Sequence, residues 1–189
     1  MNYKNIVKEL IIENASVFSI FIFFIFMSLF FTISADSFFT QRNFLNLLRQ
    51  SAPILIAATA MTFVITTGGI DLSVGSTLAI VNALCAILLI NQFHWILVLF
   101  ILILVGIACG LIQGYFIAYE GIPAFIVTLA GMSSIRGVAL LMTEGFTIPI
   151  DKNLGIIYLG RGWLFGIPIP AIIAVIIIFI GYILLNNTT

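Results

Sequence analysis

Apolar residues in this chain gather in long runs broken by short polar joints. A helix needs about 20 apolar residues to cross the hydrocarbon core of a bilayer. Runs near 16–35, 52–67, 72–91, 94–118, 123–143 and 164–185 therefore predict about six transmembrane or partly inserted helices. The runs are too continuous for the alternating pattern of a barrel strand. The predicted fold class is all-α: a single polytopic membrane domain over residues 1–189. The second run is short. The third begins inside the most polar stretch of the chain, "VITTGGIDLSVGST", Val64 to Thr77.

The joints add detail. Residues 3–14 put Tyr3, Val7, Leu10 and Ile11 on one side, with Lys4, Lys8 and Glu9 elsewhere. This pattern predicts an amphipathic segment over residues 1–15 lying on the membrane. Residues 40–50 read as a second short amphipathic piece carrying Phe44, Leu47 and Leu48. The joints at 91–94 and 118–122 are short, as between antiparallel neighbours, and 144–163 is the longest polar connection. His94, Trp95, Tyr115, Tyr119, Trp163 and Tyr182 fall near span ends, where amphipathic rings settle. The run Val17–Ile33 is longer than the apolar core of a signal peptide, and "ISAD" is a poor cleavage site, so it reads as a retained first span.

Composition fixes the solvent. The chain is 62% hydrophobic and 7% charged, against about a quarter charged in soluble domains. That leaves too little polar surface for water, so the expected location is the cell membrane, multi-pass. Net charge is zero, without the clustered Lys and Arg that a nucleic-acid partner requires. Cys85 and Cys109 lie inside apolar runs and read as small hydrophobes. Lys4 and Lys8 stand on the N-terminal segment, Arg42 and Arg49 on the first joint, Lys152 and Arg161 on the long one. Under simple alternation this count places the N-terminus outside.

Three features carry chemistry. In "TTGGIDLSVGS", Gly68 and Gly69 suit a helix break. Asp71 follows, placed to accept from the free N–H groups of Ser73 and Val74 at the positive end of the next helix. Two readings stand side by side: a capped helix start at the membrane surface, or a discontinuous helix lining a polar pathway. The stretch has no lysine and is not a nucleotide-binding loop. Second, Gly106, Gly110 and Gly114 recur every fourth residue, a spacing that lets another helix approach closely. Gln113 lies beside this face, able to bond across to a neighbour. Third, Arg136 lies well inside a predicted span. Either it faces protein or water as a functional charge, with Asp71 or Glu144 as partner, or its helix is shorter and it snorkels. Glu144 and Asp151 read as solvated loop residues. With a single histidine and no nucleophile, zinc or carboxylate-pair spacing, no catalytic site, metal site or cofactor is expected.

The motifs resemble a known family. "TGGIDLSVGS" at 67–76 resembles the hallmark segment of the ABC importer permeases for ribose, xylose, arabinose and galactose. "FFTQRNFLNLLRQSAPILIAATAMTFVI" resembles that family's lead-in, and "GIPAFIVTLAGMSSIRGVALLMTEG" its helix ending in an "RG" pair. "GIPIPAIIAVIIIFIGYILLNNT" resembles the stretch before its cytoplasmic loop. The likeness runs colinearly over about residues 38–189. It implies a transport subunit without its own catalytic site, paired with a second permease copy or close relative. An ABC ATPase subunit would drive it and an extracytoplasmic solute-binding protein would supply the sugar. It implies a cytoplasmic N-terminus, against the charge count. It also implies an N-terminal portion of a permease, incomplete at the C-terminus, since family members continue into a helix that contacts the ATPase. The pathway or gate would then involve Gly68, Gly69, Asp71, Ser73, Ser76 and Arg136. Alternatives are a permease for a nucleoside or sugar-like signal molecule, an ion-coupled secondary transporter and a non-transporting membrane scaffold.

Overall fold

The computed structural model describes residues 15–150 and 155–187. Most of the amphipathic segment expected over residues 1–15 lies outside the described residues; Ala15 already begins the first helix. The chain divides into two compact units, residues 1–47 and 48–189.

In the first unit, helix α1 spans Ala15–Ser34 and buries no residue. Its surface is Phe, Ile, Val and Leu on every side, as suits a helix surrounded by lipid. Two of its hydroxyls are turned inward, because Ser19 and Thr32 donate to the carbonyls of Ala15 and Ser28 in their own helix. The turn that follows is closed by Asn43, whose side chain donates to the Phe38 carbonyl at 2.8 Å. Thr40 caps the next helix by accepting from the Asn43 N–H.

Helix α2, Gln41–Thr66, is one continuous element of 26 residues, with Pro53 inside it. The sequence reading divides it at residue 51. Proline removes a single helical hydrogen bond, and membrane helices tolerate that because the freed carbonyl finds other partners. An apparent boundary there is an interior position.

The second unit is centred on α3 (Val74–Ile90), α4 (Trp95–Ala118) and α5 (Ala124–Thr143). Helix α3 packs most extensively on α5 and next on α4. Leu89, Val98 and Leu102 form a small core, with Trp95, Ile150 and Ile156 against it. Most of the other buried hydrophobic side chains are alanine: Ala52, Ala83, Ala86, Ala139 and Ala174. Small residues inside and large ones outside is the arrangement expected where lipid is the solvent and close backbone approach drives association.

The expected long connection after α5 contains a helix, α6 (Gly155–Arg161), and a hairpin of β1 (Trp163–Leu164) and β2 (Ile167–Pro168). In the hairpin Trp163 pairs with Pro168 and Leu164 with Ile167. Phe165 and Gly166 both take positive φ at the tip, the twist a two-residue hairpin turn favours. The last span therefore begins at Ile169, not near 164, as α7 (Ile169–Asn187). The hairpin is as apolar as the helix it precedes, so hydropathy alone cannot separate them. Helix α7 meets α2 where a Cβ on Gly181 would come within 2.7 Å of Thr59.

Among the described residues, five helices (α1, α2, α4, α5 and α7) are long and apolar enough to cross a membrane. The sixth apolar helix, α3, has 17 residues, about 25 Å at 1.5 Å per residue. It is short because the polar break before it takes up part of the apolar run. The protein is a multi-pass membrane protein.

Candidate functional site

The break lies between α2 and α3. Gly68 takes φ +76°. Its N–H donates to the Ile65 carbonyl and that of Gly69 to the Val64 carbonyl, each at 2.9 Å. This pair of bonds closes the end of a helix around a left-handed residue, the position where glycine is free of Cβ strain. Gly69 is tight for a different reason: a Cβ there would sit 3.2 Å from Val64. Two glycines in sequence thus end α2 and turn the chain.

Asp71 follows the turn. Its Oδ1 accepts from the Ser73 N–H and from the Ser73 hydroxyl, each at 2.7 Å. The sequence reading assigns the donors to the N–H groups of Ser73 and Val74; both bonds to Oδ1 come from Ser73. Ser73 is 1% exposed and Gln113 9%. From α4, Gln113 Nε2 donates to Ser73 Oγ at 3.0 Å and to the Cys109 carbonyl at 3.3 Å. A relay therefore runs from Gln113 through the Ser73 hydroxyl to the Asp71 carboxylate. Gln113 reaches across to another element, as its place beside the glycine stripe suggests.

The relay is held by neighbours on α5. Thr128 donates to the Ile70 carbonyl at 3.2 Å as well as to its own helix at Ala124. Ser76 donates to the Met132 carbonyl at 2.8 Å. A Cβ on Gly131 would fall 2.6 Å from Gln113 Oε1, so only glycine leaves room for the amide there. Gln113 Oε1 is buried without a hydrogen-bond partner among the described residues.

Two grooves border the break. One, of about 420 Å³, is lined in part by Pro53, Ala57, Asp71, Ser73, Gly106, Gly110 and Gln113. The other, of about 280 Å³, takes in Thr67, Gly69, Asp71, Gly114 and Thr128. Gly106, Gly110 and Gly114 face this space: a Cβ at any of them meets nothing within 4 Å. The structure thus gathers Gly69, Asp71, Ser73 and the three stripe glycines around one polar seam, with Gly68 at the turn above it. Ser76 is turned to α5. Arg136 stands apart, in a groove with Asn82 and Cys85, and it makes no ion pair with Asp71 or Glu144. The seam also depends on Thr128 and Gly131, which the sequence reading does not single out. Their signal was a hydroxyl and a small residue one turn apart in an apolar helix, too common a pattern to stand out.

A multi-pass bundle with a broken helix and a polar seam is an arrangement that membrane transport proteins use, and comparison identifies the family. Residues 43–189 match the family described as branched-chain amino acid transport system / permease component, and the chain belongs to it. It is 37% identical over 154 residues to the ribose import permease of Haemophilus influenzae, covering 80% of this chain and 48% of that protein. It is 39% identical over 158 residues to the ribose import permease of Bacillus subtilis, covering 83% and 49%. With the xylose transport system permease of Escherichia coli it shares 40% over 138 residues, covering 71% and 35%. The chain spans about half the length of the ribose permeases it matches. No solved structure matches it.

Proposed function

We propose that this chain forms part of the membrane pathway of an ATP-driven importer for a monosaccharide such as ribose. The observation that carries this reading is the relay from Gln113 through Ser73 to Asp71 at a broken helix bordering two grooves. A broken helix exposes backbone polar groups, and in a membrane these are tolerated where they line a cavity or are buried in protein. Asp71 is only half-buried and lines both grooves. Gly68, Gly69, Asp71, Ser73 and Ser76 form the gate element in this reading. Arg136 lines the pathway further along. The likeness to ribose and xylose permeases supports a sugar as solute.

The partners follow from the same reading. An ATPase subunit supplies the energy, an extracytoplasmic binding protein delivers the solute, and a second permease copy completes the channel. Nucleotide binding and hydrolysis bias two arrangements of the packed helices. The seam suits such a shift, because among the described residues only two side-chain hydrogen bonds, from Gln113 to Ser73 and from Thr128 to Ile70, tie the 67–73 segment to α4 and α5.

Uptake of labelled ribose by the assembled transporter tests this. Asp71→Ala is expected to lower uptake at least ~10-fold, the worth of about 1.4 kcal/mol, and Glu144→Ala to leave it within twofold. Wild-type uptake by both variants would remove Asp71 from the gate. Uptake that persists without ATP and collapses with an uncoupler would replace the ATP-driven reading by an ion-coupled one. Preference for a nucleoside over ribose would keep the mechanism and change the solute.

A further inference from the structure

A third groove lies between α3 and α5, away from the break. Its volume is about 430 Å³, within the ~300–1,000 Å³ usual for small-ligand sites. Helix α3 contributes Ala79, Asn82, Ala83 and Ala86; helix α5 contributes Arg136, Ala139, Leu140 and Thr143. Each set follows the spacing of one helix face, so two facing stripes make the walls. The short alanine side chains leave room between the walls, and the segment Gly145–Ile148 lines one end.

Two polar side chains in these walls form no bond among the described residues. Asn82 is the central residue of α3, eight positions from either end. Arg136 lies seven residues before the end of α5. Neither side chain makes an ion pair or hydrogen bond among the described residues, and both are exposed. An arginine facing lipid near a helix centre is strongly disfavoured. Unpaired polar groups at such depth face a cavity or a partner. Here they share one cavity instead of lying on separate lipid faces. Thr143 does not compete for the space, because its hydroxyl is turned to the Ala139 carbonyl.

We infer that this groove is filled with water and forms the stretch of the pathway where Arg136 and Asn82 bond the oxygens of a neutral polyhydroxyl solute. Guanidinium donors and a carboxamide that both donates and accepts suit a ligand rich in hydroxyls. The solute assignment rests on the monosaccharide reading above; the water does not.

Cys85 lines the same groove and provides the test. The chain has two cysteines, so Cys109→Ser leaves Cys85 alone. The protein is reconstituted and treated on both faces with two membrane-impermeant methanethiosulfonates, one anionic and one cationic. Both are expected to modify Cys85. The anionic-to-cationic rate ratio is expected to fall at least threefold in Arg136→Gln, as the local positive charge is lost. D-ribose at saturating concentration is expected to slow modification at least threefold, and less so in Asn82→Leu. Modification by lipid-soluble N-ethylmaleimide but by neither charged reagent would show a lipid-filled groove and overturn the inference. A rate ratio unmoved by Arg136→Gln would overturn the shared cavity. Modification unaffected by ribose would overturn the solute's place here. Loss of ribose uptake with Cys85 still water-accessible would count against the proposed function, not against the water-filled groove.

Discussion

Helices α4 and α5 both carry glycine inside apolar sequence, and the glycines do opposite work. At Gly131 the missing side chain is occupied: the Gln113 amide sits where a Cβ would be, 2.6 Å from it. At Gly106, Gly110 and Gly114 the missing side chains leave open space. One is a socket for a polar group of the same chain. The other three are a surface. The difference teaches that small residues in a membrane helix have two uses, and that spacing alone does not separate them. A regular four-residue repeat gives a long smooth face. A single glycine opposite a glutamine gives a specific fit.

That contrast can be broken by substitution, with thermal unfolding in detergent micelles as the measure. The largest effect is expected from Gly131→Ala. The new methyl displaces the Gln113 amide from Ser73 and should cost about 2 kcal/mol, in the range of an overpacked core. Gln113→Ala in the same chain should cancel much of that loss, since the two changes act on one contact. Simple additivity would show that the socket is not specific.

Ser73→Ala comes next, at about 1 kcal/mol. It takes one donor from Asp71 and one acceptor from Gln113, and leaves the socket intact. A loss equal to that of Gly131→Ala would mean that the hydroxyl, not the fit of the amide, holds the seam.

Gly110→Ala is expected to be the mildest, within about 0.5 kcal/mol of wild type or slightly stabilising, because alanine favours helix and nothing stands in its way. A drop in unfolding temperature like that of Gly131→Ala would erase the distinction between the faces. Unchanged stability with weakened self-association would sharpen it, by assigning the open stripe to a second copy.

Much of this was legible in the sequence where the cause is local. The glycine turn and the Asp71–Ser73 contact span a few residues, and the chemistry of φ and capping dictates them. The six apolar helices follow from run length. The partners of that segment are not local. Ser76 meets Met132 across 56 residues and Thr128 meets Ile70 across 58, and no pattern along the chain states those pairings. Gln113 was recognisable as a side chain able to reach out, but its target depends on how α4 lies against the break. The α6 helix and the hairpin were hidden for another reason. Seven residues are too few to show a helical period, and "WLFGIPI" is apolar enough to merge with α7. The change from the amphipathic piece at 40–50 to the apolar run at 52–67 misled in the opposite sense, marking a joint where the helix runs on.

The relay also has a direction. A carboxylate accepts and never donates, so Asp71 obliges the Ser73 hydroxyl to point towards it. The serine oxygen must then take its other bond from the Gln113 amide nitrogen, which leaves the amide oxygen facing Gly131. One negative charge thus removes the ambiguity of two rotors in series. Asparagine at 71 would occupy nearly the same volume and carry both kinds of group. It would keep the shape of the seam while allowing the chain of bonds to run either way.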